Sequence, residues 1–227
     1  HYQIVATLDE AAHVVHGVAD LTYVNHSPDT LHEMYFHQYL NAFRPGSKWS
    51  AVDEREGRVR FQDLQNPDFG YERFTAVPTF DGVPVAPDYP GASDSTVAHF
   101  ALPHPVAPGD SIRVHLQWDA RPSTVLRRQG RKGRSYDFAQ WYPKVAVYDR
   151  GGWEPNPFVP SGELYGEFGT YDVTLVVAAD QVIGATGVAV AGDPGWERMK
   201  RWGTLYVPRE AYDILPPTPE AALPEGD

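Results

Sequence analysis

Two-residue alternation of apolar and polar side chains dominates this chain and limits what it can fold into. At residues 15–24, Val15, Gly17, Ala19, Leu21 and Tyr23 alternate with His16, Val18, Asp20, Thr22 and Val24. At 33–40, Met34, Phe36, Gln38 and Leu40 alternate with Glu33, Tyr35, His37 and Tyr39. Successive side chains of a strand point to opposite faces, so each run predicts a strand with one face turned to a core. Similar runs at 2–8, 58–64, 73–80, 96–102, 111–118, 145–148 and 171–177 are separated by turn-rich pieces such as 25–29 and 107–110, and Asp81-Gly82 supplies a turn. Many short strands with short polar connections predict an all-β, antiparallel β-sandwich. Helix is scarce in this pattern, and residues 196–202, bracketed by Gly195 and Gly203, are the one short candidate.

With 227 residues and 42% apolar content, the chain can bury one sizeable core. The predicted sandwich spans residues 1–190. From 191 onward the composition turns to linker chemistry, with Pro208, Pro216, Pro217, Pro219 and Pro224 among several carboxylates, so 191–227 reads as an irregular, acidic, Pro-rich tail. A net charge of −11 disfavours sequence-independent nucleic-acid binding, which needs clustered cations to neutralise phosphates. The absence of cysteine excludes a disulfide scaffold and thiolate chemistry but does not locate the protein. No apolar run approaches the roughly 18 residues of a membrane helix.

Residues 138–171 hold nine aromatics in 34 positions, about twice the density of the whole chain at 13%. Interleaved Gly and Pro forbid a long helix, so this stretch reads as a folded crossover feeding a strand. Its wording is specific: Gln140-Trp141-Tyr142-Pro143, Val147-Tyr148-Asp149, Gly152-Trp153, Gly166-Glu167-Phe168, Tyr171-Asp172-Val173 and Gly184-Ala185-Thr186-Gly187. In these segments the chain resembles bacterial members of the aminopeptidase N family of gluzincin zinc metallopeptidases. The likeness extends to residues 2–43 and 102–118, and covers most of 1–190.

What it covers is that family's N-terminal β domain. The resemblance implies a non-catalytic sandwich that frames a substrate cleft, with zinc expected only in a downstream domain carrying His-Glu-x-x-His, a motif this sequence lacks. No cofactor is expected in this chain. The resemblance further implies that Gln140, or Asp137 in its place, reaches the cleft and helps hold the substrate's free amino group. A sheet-edge Gln capping the crossover is the plainer reading of Gln140.

Other patterns carry less. His32 and His37 mimic the metallopeptidase motif but are five apart, which puts them on different faces of either a helix or a strand, so both are expected to be sheet-surface histidines. His13 and His16, an odd number of residues apart, have the same difficulty in a strand. There is no nucleophile elbow for a Ser-His-Asp triad, and neither Gly151-Gly152 nor residues 184–187 opens a helix that could hold a phosphate. Residues 127–134 place five cations in eight positions of an acidic chain. They read as a solvated loop or as a contact for an acidic protein or anionic lipid surface.

Two functional classes follow. One is the N-terminal domain of a zinc aminopeptidase. The other is a noncatalytic accessory or structural subunit that docks on a larger assembly, at the periplasmic face of a membrane complex or elsewhere outside the cell. A carbohydrate-binding sandwich is a third, resting on its tryptophans. For either of the first two, the expected contacts with a partner are Trp141, Tyr142, Trp153, Phe158, Arg128 and Arg131.

Overall fold

A computed structural model describes residues 1–91, 94–160 and 164–197. Two compact units, His1–Val177 and Ala178–Asp227, divide the chain. In the first unit the strands are β1 (Tyr2–Asp9), β2 (Val14–Val24), β3 (Leu31–His37), β4 (Tyr71–Phe74), β5 (Thr79–Phe80), β6 (Val83–Pro84), β7 (Val97–Val106), β8 (Ser111–Arg121), β9 (Gly130–Lys132), β10 (Ser135–Asp137), β11 (Lys144–Val145), β12 (Val147–Asp149), β13 (Gly152–Glu154) and β14 (Tyr171–Val176). A 3-10 turn, Tyr39–Ala42, and one helix, α1 (Lys48–Arg55), follow β3.

The larger sheet runs β14-β1-β2-β8-β5-β6, with β4 also on β8, and the smaller runs β11-β3-β7. The pairs are antiparallel except β1 with β14, which is parallel. The alternation seen in the sequence decides which face is inside: Tyr2, Ile4 and Ala6 of β1, Ala19 and Leu21 of β2, and Ile112, Val114, Leu116 and Trp118 of β8 meet Met34, Phe36, Ala98 and Phe100 of the smaller sheet in one core. This is the sandwich that the periodicity predicts.

One close approach fixes a residue type. A Cβ added at Gly17 would lie 2.3 Å from the Trp118 ring, so only glycine lets the indole lie flat across β2.

The pattern misleads at 44–70. Residues 58–64 form turns, not a strand, although Phe61 is fully buried. Just before them is the helix that alternation did not signal. Ser47 caps α1, its hydroxyl accepting from the Ser50 N–H at 3.0 Å, and Trp49, Ser50 and Asp53 turn inward.

Histidine 37 also departs from expectation. It is 2% exposed, not on the sheet surface; it ends β3 beside β11, and its ring stacks on Tyr39 at 4.5 Å. His32 is exposed, as expected.

In the second unit the Ile183 N–H donates to the Pro194 carbonyl at 2.9 Å, and Trp196 Nε1 donates to the Ile183 carbonyl. Of the predicted helix at 196–202, Trp196 and Glu197 are helical; its remainder, and the Pro-rich part of the predicted tail, lie outside the described residues.

Candidate functional site

The aromatic crossover is fastened to the sandwich at three places. At its start Trp118 Nε1 donates to the Trp141 carbonyl at 3.0 Å. The Tyr2 hydroxyl accepts from the Val145 N–H at 2.9 Å and donates to the Pro143 carbonyl, while the Tyr2 ring stacks on Tyr171 and meets Tyr142 edge-on. In the middle, Trp153 packs among Tyr23, Tyr35 and Tyr148. At the far end Phe158 is buried and stacks on Trp49 at 5.2 Å, with Phe43 and Tyr39 around it. Each edge-to-face or stacked pair adds on the order of 1 kcal/mol to plain area burial, so the path of the crossover is set by its own rings.

Gln140 lies at the entrance to this clamped segment. Its φ is 58°, a left-handed backbone that a residue with a Cβ adopts at a cost of about 1–2 kcal/mol. Its half-buried side chain has no hydrogen-bond partner among the described residues. Asp137, the alternative, is exposed at the end of β10. Trp141, Tyr142 and Trp153 are half-buried against the core and Phe158 is within it, so these rings mainly hold the crossover.

The cationic run is a small hairpin, β9 paired with β10. Arg128 is exposed. Arg131 is 7% exposed; it donates to the Pro67 carbonyl at 2.8 Å and lies 3.5 Å from Asp68, so it ties the hairpin to the 66–70 loop rather than facing solvent. Arg134 is paired with Glu10.

On another side of the crossover a groove of about 750 Å³ lies between the end of β2, the 25–29 turn, β11, β12 and the chain entering β14. Lys144 and Tyr23 line it. Burial lowers the Lys144 ammonium below the ordinary lysine range, and burial, then Glu167, pushes the Tyr23 phenol up to about 12. Behind Lys144, burial and then the nearby ammonium bring His37 down to about 4, so its ring is neutral. Sequence reading missed this groove: its walls come from distant segments, and neither Tyr23 nor Lys144 belongs to a motif.

Glu72 on β4 is the other unforeseen group. Its backbone is held by Asn41, which accepts from its N–H and donates to its carbonyl. Its carboxyl is buried and neither oxygen has a partner at hydrogen-bond distance. Burial pushes it well above the usual carboxylate range, and the Leu40 backbone opposes this only in part.

Among the described residues no group of three or more His, Asp or Glu is placed to hold a metal, and no helix is long and apolar enough to cross a membrane. No family model matches the chain, and no curated protein matches it. Solved structures do. A two-domain M1 zinc metallopeptidase variant bound to L-arginine is similar over 83% of this chain and 34% of its own, at 17% identity and a TM-score of 0.43. A Deinococcus radiodurans M1 zinc metallopeptidase variant bound to a Tyr-Ser-Ala substrate is similar over 84% of this chain and 36% of its own, at 16% identity and a TM-score of 0.40. The M1 zinc metallopeptidase from Deinococcus radiodurans is similar over 54% of this chain and 20% of its own, at 16% identity and a TM-score of 0.33. The chain thus spans between a fifth and about a third of the solved chains to which it is similar.

Proposed function

We propose that this chain is a non-catalytic β domain of a zinc aminopeptidase of the aminopeptidase N type. It frames one wall of a substrate cleft, while zinc and the general base come from another domain. The observation that carries the reading is Gln140: the residue that the family resemblance singles out is held at a costly backbone angle, at the mouth of a rigid crossover, with its amide uncommitted. Its carbonyl oxygen can accept a hydrogen bond from a substrate ammonium.

Two measurements test this. In the full-length enzyme, Gln140→Ala raises KM for aminoacyl anilides about tenfold with kcat nearly unchanged, the loss expected for one hydrogen bond to a charged group. An unchanged KM removes Gln140 from the cleft. Residues 1–227 alone hold no stoichiometric zinc and release no amino acid; one zinc per chain by metal analysis, lost with activity on chelation, overturns the non-catalytic reading.

A second reading, a docking subunit of a larger assembly, has its own support: Val159, Tyr165 and Phe168, in the later part of the crossover, have 51%, 57% and 102% exposure. Apolar side chains left in water together mark a surface for a partner. In this reading the contact shifts from the inward rings of Trp141, Tyr142, Trp153 and Phe158 to this segment.

A further inference from the structure

We propose that the groove beside β11 binds a carboxylate borne on an aromatic or aliphatic body, gripped by the Lys144 ammonium and the Tyr23 hydroxyl. This assignment is independent of the peptidase reading. Three observations converge on it.

The first is an unanswered charge. Lys144 is half-buried and its Nζ lies so close to the Gly166 backbone that a Cβ there would collide with it, yet it has no hydrogen bond or ion pair among the described residues. Glu167 offsets the cost of this desolvated ammonium only in part and makes no ion pair with it, and an anion entering the groove would offset the rest.

The second is a matching donor. The Tyr23 hydroxyl is also without a partner among the described residues, and it stays protonated across the neutral range. Both groups line this groove, and Glu167 lines it with them. The groove's other acids are spent. Asp29 accepts from the Tyr148 hydroxyl at 2.9 Å, and Asp149 accepts from the Gly151 N–H at 2.8 Å and the Tyr165 hydroxyl at 3.3 Å.

The third is shape. About 750 Å³ suits a small ligand, and Tyr148, Phe168 and Tyr171 give its walls aromatic surface beside a few convergent polar groups. A carboxylate joined directly to an apolar side chain fits that division, as in the last residue of a peptide or in a free aromatic acid. Exposed Glu167 is the chain's own competitor for the same donors.

The test is titration of residues 1–227 with N-acetyl-L-tyrosine and with N-acetyl-L-tyrosinamide at low salt, followed by amide chemical shifts. The acid binds at least about tenfold more tightly than the amide, the ratio expected for losing one charge-assisted contact. Lys144→Met removes that preference with an unchanged circular dichroism spectrum, Tyr23→Phe weakens acid binding a few-fold, and Glu167→Gln tightens it. Equal binding of acid and amide, no binding of the acid at millimolar concentration, or a folded Lys144→Met variant that keeps the preference overturns the proposal. A tetrapeptide ending in tyrosine that binds more tightly than the single residue assigns the site to peptide C-termini; equal binding assigns it to free acids.

Discussion

Asp53 and Glu72 are both carboxylic acids sealed from water, at 0% and 2% exposure, and the fold accommodates them in opposite ways. Asp53 sits in the last turns of α1, where the chain that follows supplies its counterions: Arg58 Nε and Arg60 Nη1 each donate to it at 3.0 Å. Glu72 sits on β4 with its side chain in the core, and neither of its oxygens has a partner. Where cations arrive from five and seven residues along, a charge can be buried; where none arrives, burial acts on the proton instead. At these two positions a buried acid is either held by cations or pushed toward its protonated form.

The largest effect expected from this contrast is at Asp53. Asp53→Asn keeps an oxygen that can accept but removes the negative charge that Arg58 and Arg60 share, and removing one charge of a buried pair costs roughly 3–5 kcal/mol. Because the Arg58 and Arg60 side chains are 43% and 24% exposed, water takes up part of the loss. A decrease of about 2–3 kcal/mol in urea unfolding at pH 7 is therefore expected. A loss no larger than that of a surface substitution would mean the pair does not hold α1.

Glu72→Gln acts in the opposite direction. The folded pKa is raised, so below the ordinary carboxylate value of 4.5 both states carry the proton and the group costs nothing. As pH rises past that value the unfolded chain releases its proton first, and stability falls until the folded group ionises as well. The glutamine variant has no proton to release, so it is more stable than wild type at pH 7. That gain should vanish near pH 4. A glutamine variant less stable than wild type at pH 7 would show Glu72 to be charged and held by a partner.

The sandwich was legible because its evidence is local. Alternation along β1, β2, β3 and β8 names the inward faces directly, and the turn residues name the breaks. The helix was not: Lys48–Arg55 buries only Trp49, Ser50 and Asp53, too narrow a stripe to stand out in a polar stretch. Phe61 invited a strand at 58–64 because burial, not alternation, places it. The site was legible in the same uneven way. Gln140 stands in a recognisable run of residues, but Lys144 and Tyr23 come to line one groove only through β11 and β2, about 120 positions apart in sequence, and an ammonium without an ion pair is a property of surroundings. Arg131 shows the converse, since one member of a conspicuous cationic run is spent on the Pro67 carbonyl.

The smallest effect extends the contrast to a base. His37 is buried without a partner on Nδ1, so the same rule makes it neutral, and burial followed by Lys144 brings its folded pKa down to about 4 from 6.5. The sign is the reverse of Glu72. The stability that a neutral His37 contributes is complete above pH 6.5 and is lost as pH falls from there toward 4, because the unfolded chain takes up its proton first. At pH 6 the loss is about 0.8 kcal/mol by the same linkage. His37→Gln removes the stacking on Tyr39 at every pH, so its cost has a constant part. The stability gap between wild type and His37→Gln should therefore narrow by about 0.8 kcal/mol between pH 7.5 and pH 6. A gap that stays constant over that range would mean the ring exchanges its proton as freely when folded as when unfolded, and burial without a partner would then not set protonation at this end of β3.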